Sequence, residues 1–468
     1  MKKSTIAGWA GATVLVLLAA VAGYRVLDRD DHPAAATSPA IPPSTAPASE
    51  THPAAATPQG FLYGRITTVD GATFEGRLRF GGDQEAFWGD YFNGSELENP
   101  WLAHAPQERL PEEDRRPFEI LGIKIGRGES EVDVRRPFMA RFGEISRIEG
   151  SIREVRVTLK SGTVLDLDRS FASDFDDGVR VWHGERGVAD LPSLRIRTIE
   201  LLPTPAPTPG SGAAPYRLHG TVRTRQGDFT GFVGWNGDDS VGTDELDGRT
   251  AEGELGLRFD ALRSVARRSR DSALVTLLDG REIVLSGTAD VGARNRGIDV
   301  EDRRYGRVRI SWDAFERVDF SSDFSADFSP GGSGPAYGDF PPGRPLAGSV
   351  TTRAGRRLAG LLVYDLDESE TTDTLDADDR GLHYTIPFGL IVSIAPLDRE
   401  ERGGHGARAI LHNGEALRLE RTGDLREDNA GLLIFVDGRE RPHYVPWADV
   451  EWVDFDRLQA TYPPLGGR

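Results

Sequence analysis

One pattern occurs three times and limits the fold more than any other feature of the chain. The stretches YGRITTVDGATFEGRLRF, LHGTVRTRQGDFTGFVGW and LAGSVTTRAGRRLAGLLVY begin at Tyr63, Leu218 and Leu346. Each places a glycine, a strand of alternating Val/Ile and Thr, a second glycine seven residues on, and then a third. The triplets are Gly64, Gly71, Gly76; Gly220, Gly227, Gly231; and Gly348, Gly355, Gly360. Period-two alternation around Ile66, Val222 and Val350 is the mark of a strand. The middle glycine sits where a hairpin turn needs φ > 0. The third falls where a returning strand bends or where another backbone comes close.

A second hairpin follows in the back half of each block. VTLKSGTVLDL, VTLLDGREIVL and AILHNGEALRL turn at Gly162, Gly280 and Gly414. A further element recurs at a spacing of three: Phe142, Ile145, Ile148; Phe259, Leu262, Val265; Phe388, Ile391, Ile394. It returns as Trp312, Phe315, Val318 and as Trp447, Val450, Val453, and in weakened form as Ser193, Ile196, Ile199. A strand puts i and i+3 on opposite faces, whereas three residues per turn is the 3₁₀ period. The element therefore reads strand, one 3₁₀ turn, strand. Its apolar residues are expected to face a core. Asp313, Glu316 and Asp319 between them should be solvated.

Each block thus contains two half-units of one plan: strand, glycine turn, bent strand, variable loop, strand, 3₁₀ turn, last strand. This half-unit resembles the small SH3-like/Sm-like five-stranded barrel, in which a short 3₁₀ turn joins the last two strands, as in VRISWDAFERVDF. The resemblance implies an all-β chain of three tandem repeat blocks, each built of two such barrels. Proline-rich segments set the boundaries, since they cannot bury enough apolar surface to offset ordering. The expected layout is a signal anchor or signal peptide at 1–27 and a Pro/Ala/Thr-rich stalk at 28–60. Block 1 is 61–201, with an insert at about 95–134 that has no counterpart. A linker at 202–215 leads to block 2 at 216–320. A Gly/Pro/Asp-Phe linker at 321–345 leads to block 3 at 346–455, and 456–468 is a tail.

Residues 4–24 form a run of 21 residues without charge, STIAGWAGATVLVLLAAVAGY, preceded by Lys2 and Lys3. At about 1.5 Å per residue it spans roughly the 30 Å hydrocarbon layer. We read it as a transmembrane anchor with the bulk of the chain periplasmic or extracytoplasmic. The alternative is cleavage near Ala22, after which the protein is secreted. The 468 residues carry a net charge of −18, which opposes binding to phosphate backbones, so no nucleic-acid partner is expected. There is no cysteine, which excludes disulfides and thiolate chemistry.

Four sets of residues raise functional questions. Asp90, Asp244 and Asp373 recur at one place, followed by Asn93, Asp247 and Asp376, near Trp88 and Trp235. Oxygen ligands for a cation is one reading; turn closure by Asx side chains is the one we favour. DADDRG at 376–381 imitates a calcium loop but has Arg380 at the fifth position and Pro387 at the twelfth, where a bidentate Glu is needed. Asp290, Asn295, Gly297 match Asp424, Asn429, Gly431, with only DFDDG at 174–178 in block 1, and again read as a turn. DFSSDFSADF at 319–328 is the candidate docking segment.

No catalytic motif occurs, and His104, His183, His219, His383, His405, His412 and His443 are scattered. No catalytic, cofactor or metal residue is assigned. The expectation is a non-enzymatic envelope protein whose barrels bind protein or cell-wall polysaccharide. The alternatives are a carboxylate-based hydrolase, possibly calcium-assisted, or Sm-like RNA binding.

Overall fold

The computed structural model describes residues 58–456 except 82, 107–117, 121–122, 126–135, 185, 207–215, 322–333, 398–405, 421, 427–428 and 440. The apolar run 4–24 lies outside the described residues, as do most of the insert and 322–328 of the Asp/Phe stretch. Among the described residues no helix is long and apolar enough to cross a membrane.

The chain is all-β. Three antiparallel sheets of ten, twelve and eight strands hold the three blocks, beside a two-stranded ribbon at Phe118–Ile120 and Ile123–Ile125. In block 1 the opening hairpin Tyr63–Thr68/Thr73–Phe80 sets Gly64 opposite Gly76. Blocks 2 and 3 do the same with Gly220 and Gly231, and with Gly348 and Gly360. A Cβ on the third glycine would overlap the carbonyl of Trp182, Glu301 or Phe435 on the neighbouring strand. Glycine is therefore required there by close backbone approach.

Pairing crosses between the half-units. The opening strand Tyr63–Thr68 meets the block's last strand, Ile196–Leu201, rather than the last strand of its own half. That strand, Ile145–Gly150, turns within three residues into Glu154–Leu159 and pairs with it. So short a connection makes the two strands neighbours, and Ile145–Gly150 pairs on its other side with Ile196–Leu201. The same crossing occurs at Val222↔Val318 and Val350↔Val453. Two five-strand sets result in block 1. One contains the opening hairpin, Val179–His183, Gly187–Leu191 and the last strand; the other contains the remaining five. Block 2 repeats this order. In block 3 the hairpin Thr374–Asp379/Leu382–Pro387 instead extends the sheet of block 2, by pairing with Gly306–Ile310.

The i, i+3, i+6 elements are buried corners. Trp312 is 3% exposed, and Phe315 and Val318 are fully buried. Trp447, Val450 and Val453 are buried likewise. Each such side chain contributes about 1.5–3 kcal/mol on leaving water. Asp313 and Glu316 are solvated as expected, whereas Asp319 is drawn down by Arg317. In the last linker, Tyr337 and Phe340 pack on block 1. The Tyr337 hydroxyl donates to Ile145 O at 2.8 Å, and Lys160 Nζ donates to the carbonyl oxygens of both residues.

Candidate binding site

The recurring acids close turns. Asp90 Oδ2 accepts the N–H groups of Glu85 and Ala86, both at 2.8 Å. Asp244 does so from Ser240 and Val241, and Asp373 from Ser369 and Glu370, at 2.7–2.9 Å. The second set braces the following strand: Asp290 Oδ2 accepts Asp247 N–H at 2.8 Å, and Asp424 Oδ2 accepts Asp376 N–H at 2.6 Å. In block 1 the role falls to Asp174, which accepts from the backbone and side-chain N–H of Asn93. Asn295 and Asn429 accept from Gly297 and Gly431, whose φ of 123° and 91° needs glycine. The 376–381 stretch is a hairpin turn with Arg380 and Gly381 at positive φ, so its acids are strand residues and not a calcium loop.

Between these two braces lies a turn that the recurring acids did not reveal. Phe80, Trp235 and Tyr364 each bridge to a residue four positions on: Gln84, Asp239 and Glu368. The residues after the aromatic, Gly81, Asn236 and Asp365, all have positive φ. Its sequence signal is FGGDQ, WNGDD and YDLDE, an aromatic followed by an acid three residues later. In block 1 Gln84 Nε2 donates to Asp174 Oδ1. In blocks 2 and 3 an acid stands at that place.

The turns of blocks 1 and 2 face a cavity of about 160 Å³, lined among others by Asp83, Asp90, Tyr91, Arg217, Asp238, Asp239, Asp299, Glu301, Arg307 and Arg309. Two of its three arginines are ion-paired, whereas Arg217 has a buried Nε without a hydrogen-bond partner among the described residues. Arg309 forms a two-bond pair with Asp299 at 2.8 and 2.9 Å. Arg307 donates to Glu301 at 2.7 Å and to Gly89 O, and lies 4.1 Å over the Tyr91 ring. Buried Arg217 donates to Trp88 O across the block boundary. Two acids are not engaged: among the described residues neither Asp83 nor Asp239 has a side-chain counter-ion. Burial, with Asp90, Asp238 and Asp174 nearby, pushes Asp83 up to about 7. Burial, with Asp290, Asp244, Asp238 and Asp247, pushes Asp239 up to about 8. The buried Tyr91 hydroxyl has no hydrogen-bond partner among the described residues. Among the described residues neither His nor Lys lines the cavity. Among the described residues no group of His, Asp and Glu is placed to hold a metal ion.

A second acidic group lies where block 1 meets block 3. Arg136 joins Glu96 at 3.2 Å, Asp367, and Asp373 at 3.9 Å. Burial pushes Asp367 up to about 6 against the pull of Arg136, and Glu96 up to about 7. Glu368, 7% exposed, has an Oε2 with no partner among the described residues. Burial and Asp424 hold its carboxyl well above the usual range. Beside this group the insert contributes a short 3₁₀ turn, Pro100–His104. Asn99 Nδ2 donates to Leu366 O at 2.9 Å, and Trp101 meets Phe435 edge-on.

No family model and no curated protein matches this chain. A solved structure described as a streptogramin B lyase aligns over 67% of this chain and 94% of its own. Its identity is 10% and its TM-score 0.13, so it carries no argument about fold or activity.

Proposed function

We propose that the chain is a non-enzymatic binding protein of the cell envelope, anchored by 4–24 or secreted after cleavage near Ala22. Its blocks are repeats, each of two SH3-like/Sm-like barrels that exchange hairpins. In support, a single corner of about three residues, such as Phe142–Glu144 or Ser193–Arg195, carries the chain from one end of a five-strand set to the other. The set must curl for its ends to come that close.

The observation that carries the binding function is the cavity between blocks 1 and 2. Arg307 and Arg309 are ion-paired, while neither Asp83 nor Asp239 has a side-chain counter-ion and the Tyr91 hydroxyl has no hydrogen-bond partner among the described residues. A small cationic donor entering such a pocket finds acceptors and draws the protons off the two raised carboxyls. A primary ammonium group fits this chemistry, and both proteins and the peptides of cell-wall polymer carry one. The test is retention of purified peptidoglycan fragments or envelope proteins by the full chain. Retention that is lost in the Asp83→Asn/Asp239→Asn variant supports the reading; equal retention by both forms refutes it.

A hydrolase is the second reading, favoured by one observation. Carboxyls near 7 and 8 in a cleft suit a general acid. Release of new reducing ends or peptide termini from the same polymer, abolished in the double variant, would decide for it.

A further inference from the structure

The junction of blocks 2 and 3 is made by one strand edge meeting another. Gly306–Ile310 ends the run of block 2 strands and is continued by Leu382–Pro387 of block 3, with Arg307 opposite Thr385, Val308 opposite Tyr384, Arg309 opposite His383 and Ile310 opposite Leu382. Block 1 ends on a strand of the same kind, Gly187–Leu191. Both strands start on a positive-φ glycine, Gly187 at 75° and Gly306 at 84°, and both pair in the same register with the strand before them. Block 2 begins its sheet with the counterpart of Leu382–Pro387, the strand Glu254–Arg258; each of these two runs into a 3₁₀ turn opened by Phe259 or Phe388. Yet Gly187–Leu191 and Glu254–Arg258 each have one ladder partner among the described residues, not two.

These two edges are also open. Gly187, Val188, Asp190, Glu254, Gly256 and Arg258 are exposed, Val188 at 57%. In the covered strand of block 2, four of the five residues are buried or half-buried. Four other terminal strands of the large sheets are less accessible, among the described residues: Thr374–Asp379 and Ala416–Leu419 lie against each other, with Glu420 N–H donating to Asp378 O at 2.7 Å. His443–Val445 is three residues long, and Arg136 of Arg136–Arg141 is held by acids of block 3.

We infer that Gly187–Leu191 of one copy pairs antiparallel with Glu254–Arg258 of a second copy, as Gly306–Ile310 pairs with Leu382–Pro387 inside the chain. The internal register, carried over, sets Val188 opposite Gly256, Ala189 opposite Leu255 and Asp190 opposite Glu254. The polar side chains across the joint follow the internal pattern of a central pair, each member held by an outer partner on its own sheet. Inside the chain the row reads Asp299, Arg309, His383, Asp378, with outer pairs at 2.8 and 2.7 Å. Between copies it reads Arg180, Asp190, Glu254, Arg249, with outer pairs at 2.7 and 3.0 Å. In both rows each central residue brings its own counter-ion. The contact is head-to-tail: each copy offers one edge of each kind, so assembly runs on into rows rather than stopping at a two-fold dimer.

The absence of cysteine makes disulfide trapping clean. Two full-length single-cysteine variants, Asp190→Cys and Glu254→Cys, are mixed at equal concentration with different tags and oxidised. Both side chains are exposed, so neither change threatens folding. A disulfide-linked heterodimer at least five-fold more abundant than either homodimer is the expected result. Moving one cysteine by a single residue, to Val188→Cys or Ala189→Cys, should lower the yield. Homodimers equal to the heterodimer, or no cross-link at a concentration where light scattering shows only monomer, would overturn the inference.

Discussion

Gln84 donates its side-chain N–H to Asp174 across 3.2 Å in block 1, whereas in block 3 the corresponding place is held by Glu368, which faces Asp424 with its Oε2 lacking a partner among the described residues. A neutral amide satisfies the brace in one block; a second carboxyl strains it in another. The difference gives the first prediction. Glu368→Gln should stabilise the chain by about 1–3 kcal/mol at pH 8. The sign follows from linkage: the folded state holds the Glu368 proton more tightly than the unfolded chain. Ionising it therefore costs stability, and the cost grows as pH rises above the ordinary glutamate range. The gain should vanish near pH 4. Urea denaturation at pH 4, 6 and 8 measures it; a gain independent of pH would refute the account.

The turn-closing acids should be worth more than their surface position suggests. Asp90→Ala, Asp244→Ala and Asp373→Ala each strand two backbone N–H groups, at a cost of about 1–3 kcal/mol. Addition of calcium should change none of the three melting temperatures relative to the parent. A calcium-dependent rise in the parent that these variants lose would return the cation reading.

Among the described residues Arg136 is the one cation in contact with Glu96, Asp367 and Asp373 together. Arg136→Met should cost about 2–4 kcal/mol at pH 8. Without the guanidinium the three acids take up protons, so the cost should shrink at pH 5. Thermal melts at the two pH values test this; an equal loss at both would assign Arg136 a packing role only.

Phe340 lies where a Cβ on Gly143 would come within 2.5 Å of its ring. Gly143→Ala should therefore lift the linker off block 1. Limited proteolysis should show faster cutting within 334–345, while the block cores remain protected. Unchanged cutting would mean that the linker is held elsewhere.

Much of this was legible because hairpins and 3₁₀ corners are local. The glycine triplets and the steps at Trp312 and Trp447 state their own geometry over a dozen residues, and their burial follows. The pairing of Tyr63–Thr68 with Ile196–Leu201 was not legible, since alternation marks a strand but does not name its partner across 130 residues. The turn-closing role of Asp90 and its counterparts could be read from Asx chemistry alone. The cavity could not, because Asp83 and Asp239 belong to different blocks and only the packing of Arg217 and Arg307 against block 1 brings them to one place. The aromatic-to-acid spacing in FGGDQ, WNGDD and YDLDE was the available signal, and it marks a turn rather than a pocket.

The central claim is that the cavity between blocks 1 and 2 receives an ammonium group, and calorimetric titration of the full chain with peptidoglycan fragments tests it most directly. The fragments are used before and after N-acetylation of their free amines. The account predicts binding to the free-amine fragments that falls at least ten-fold on acetylation and equally in Asp83→Asn/Asp239→Asn. Affinity unchanged by acetylation, or retained by the double variant, would contradict it.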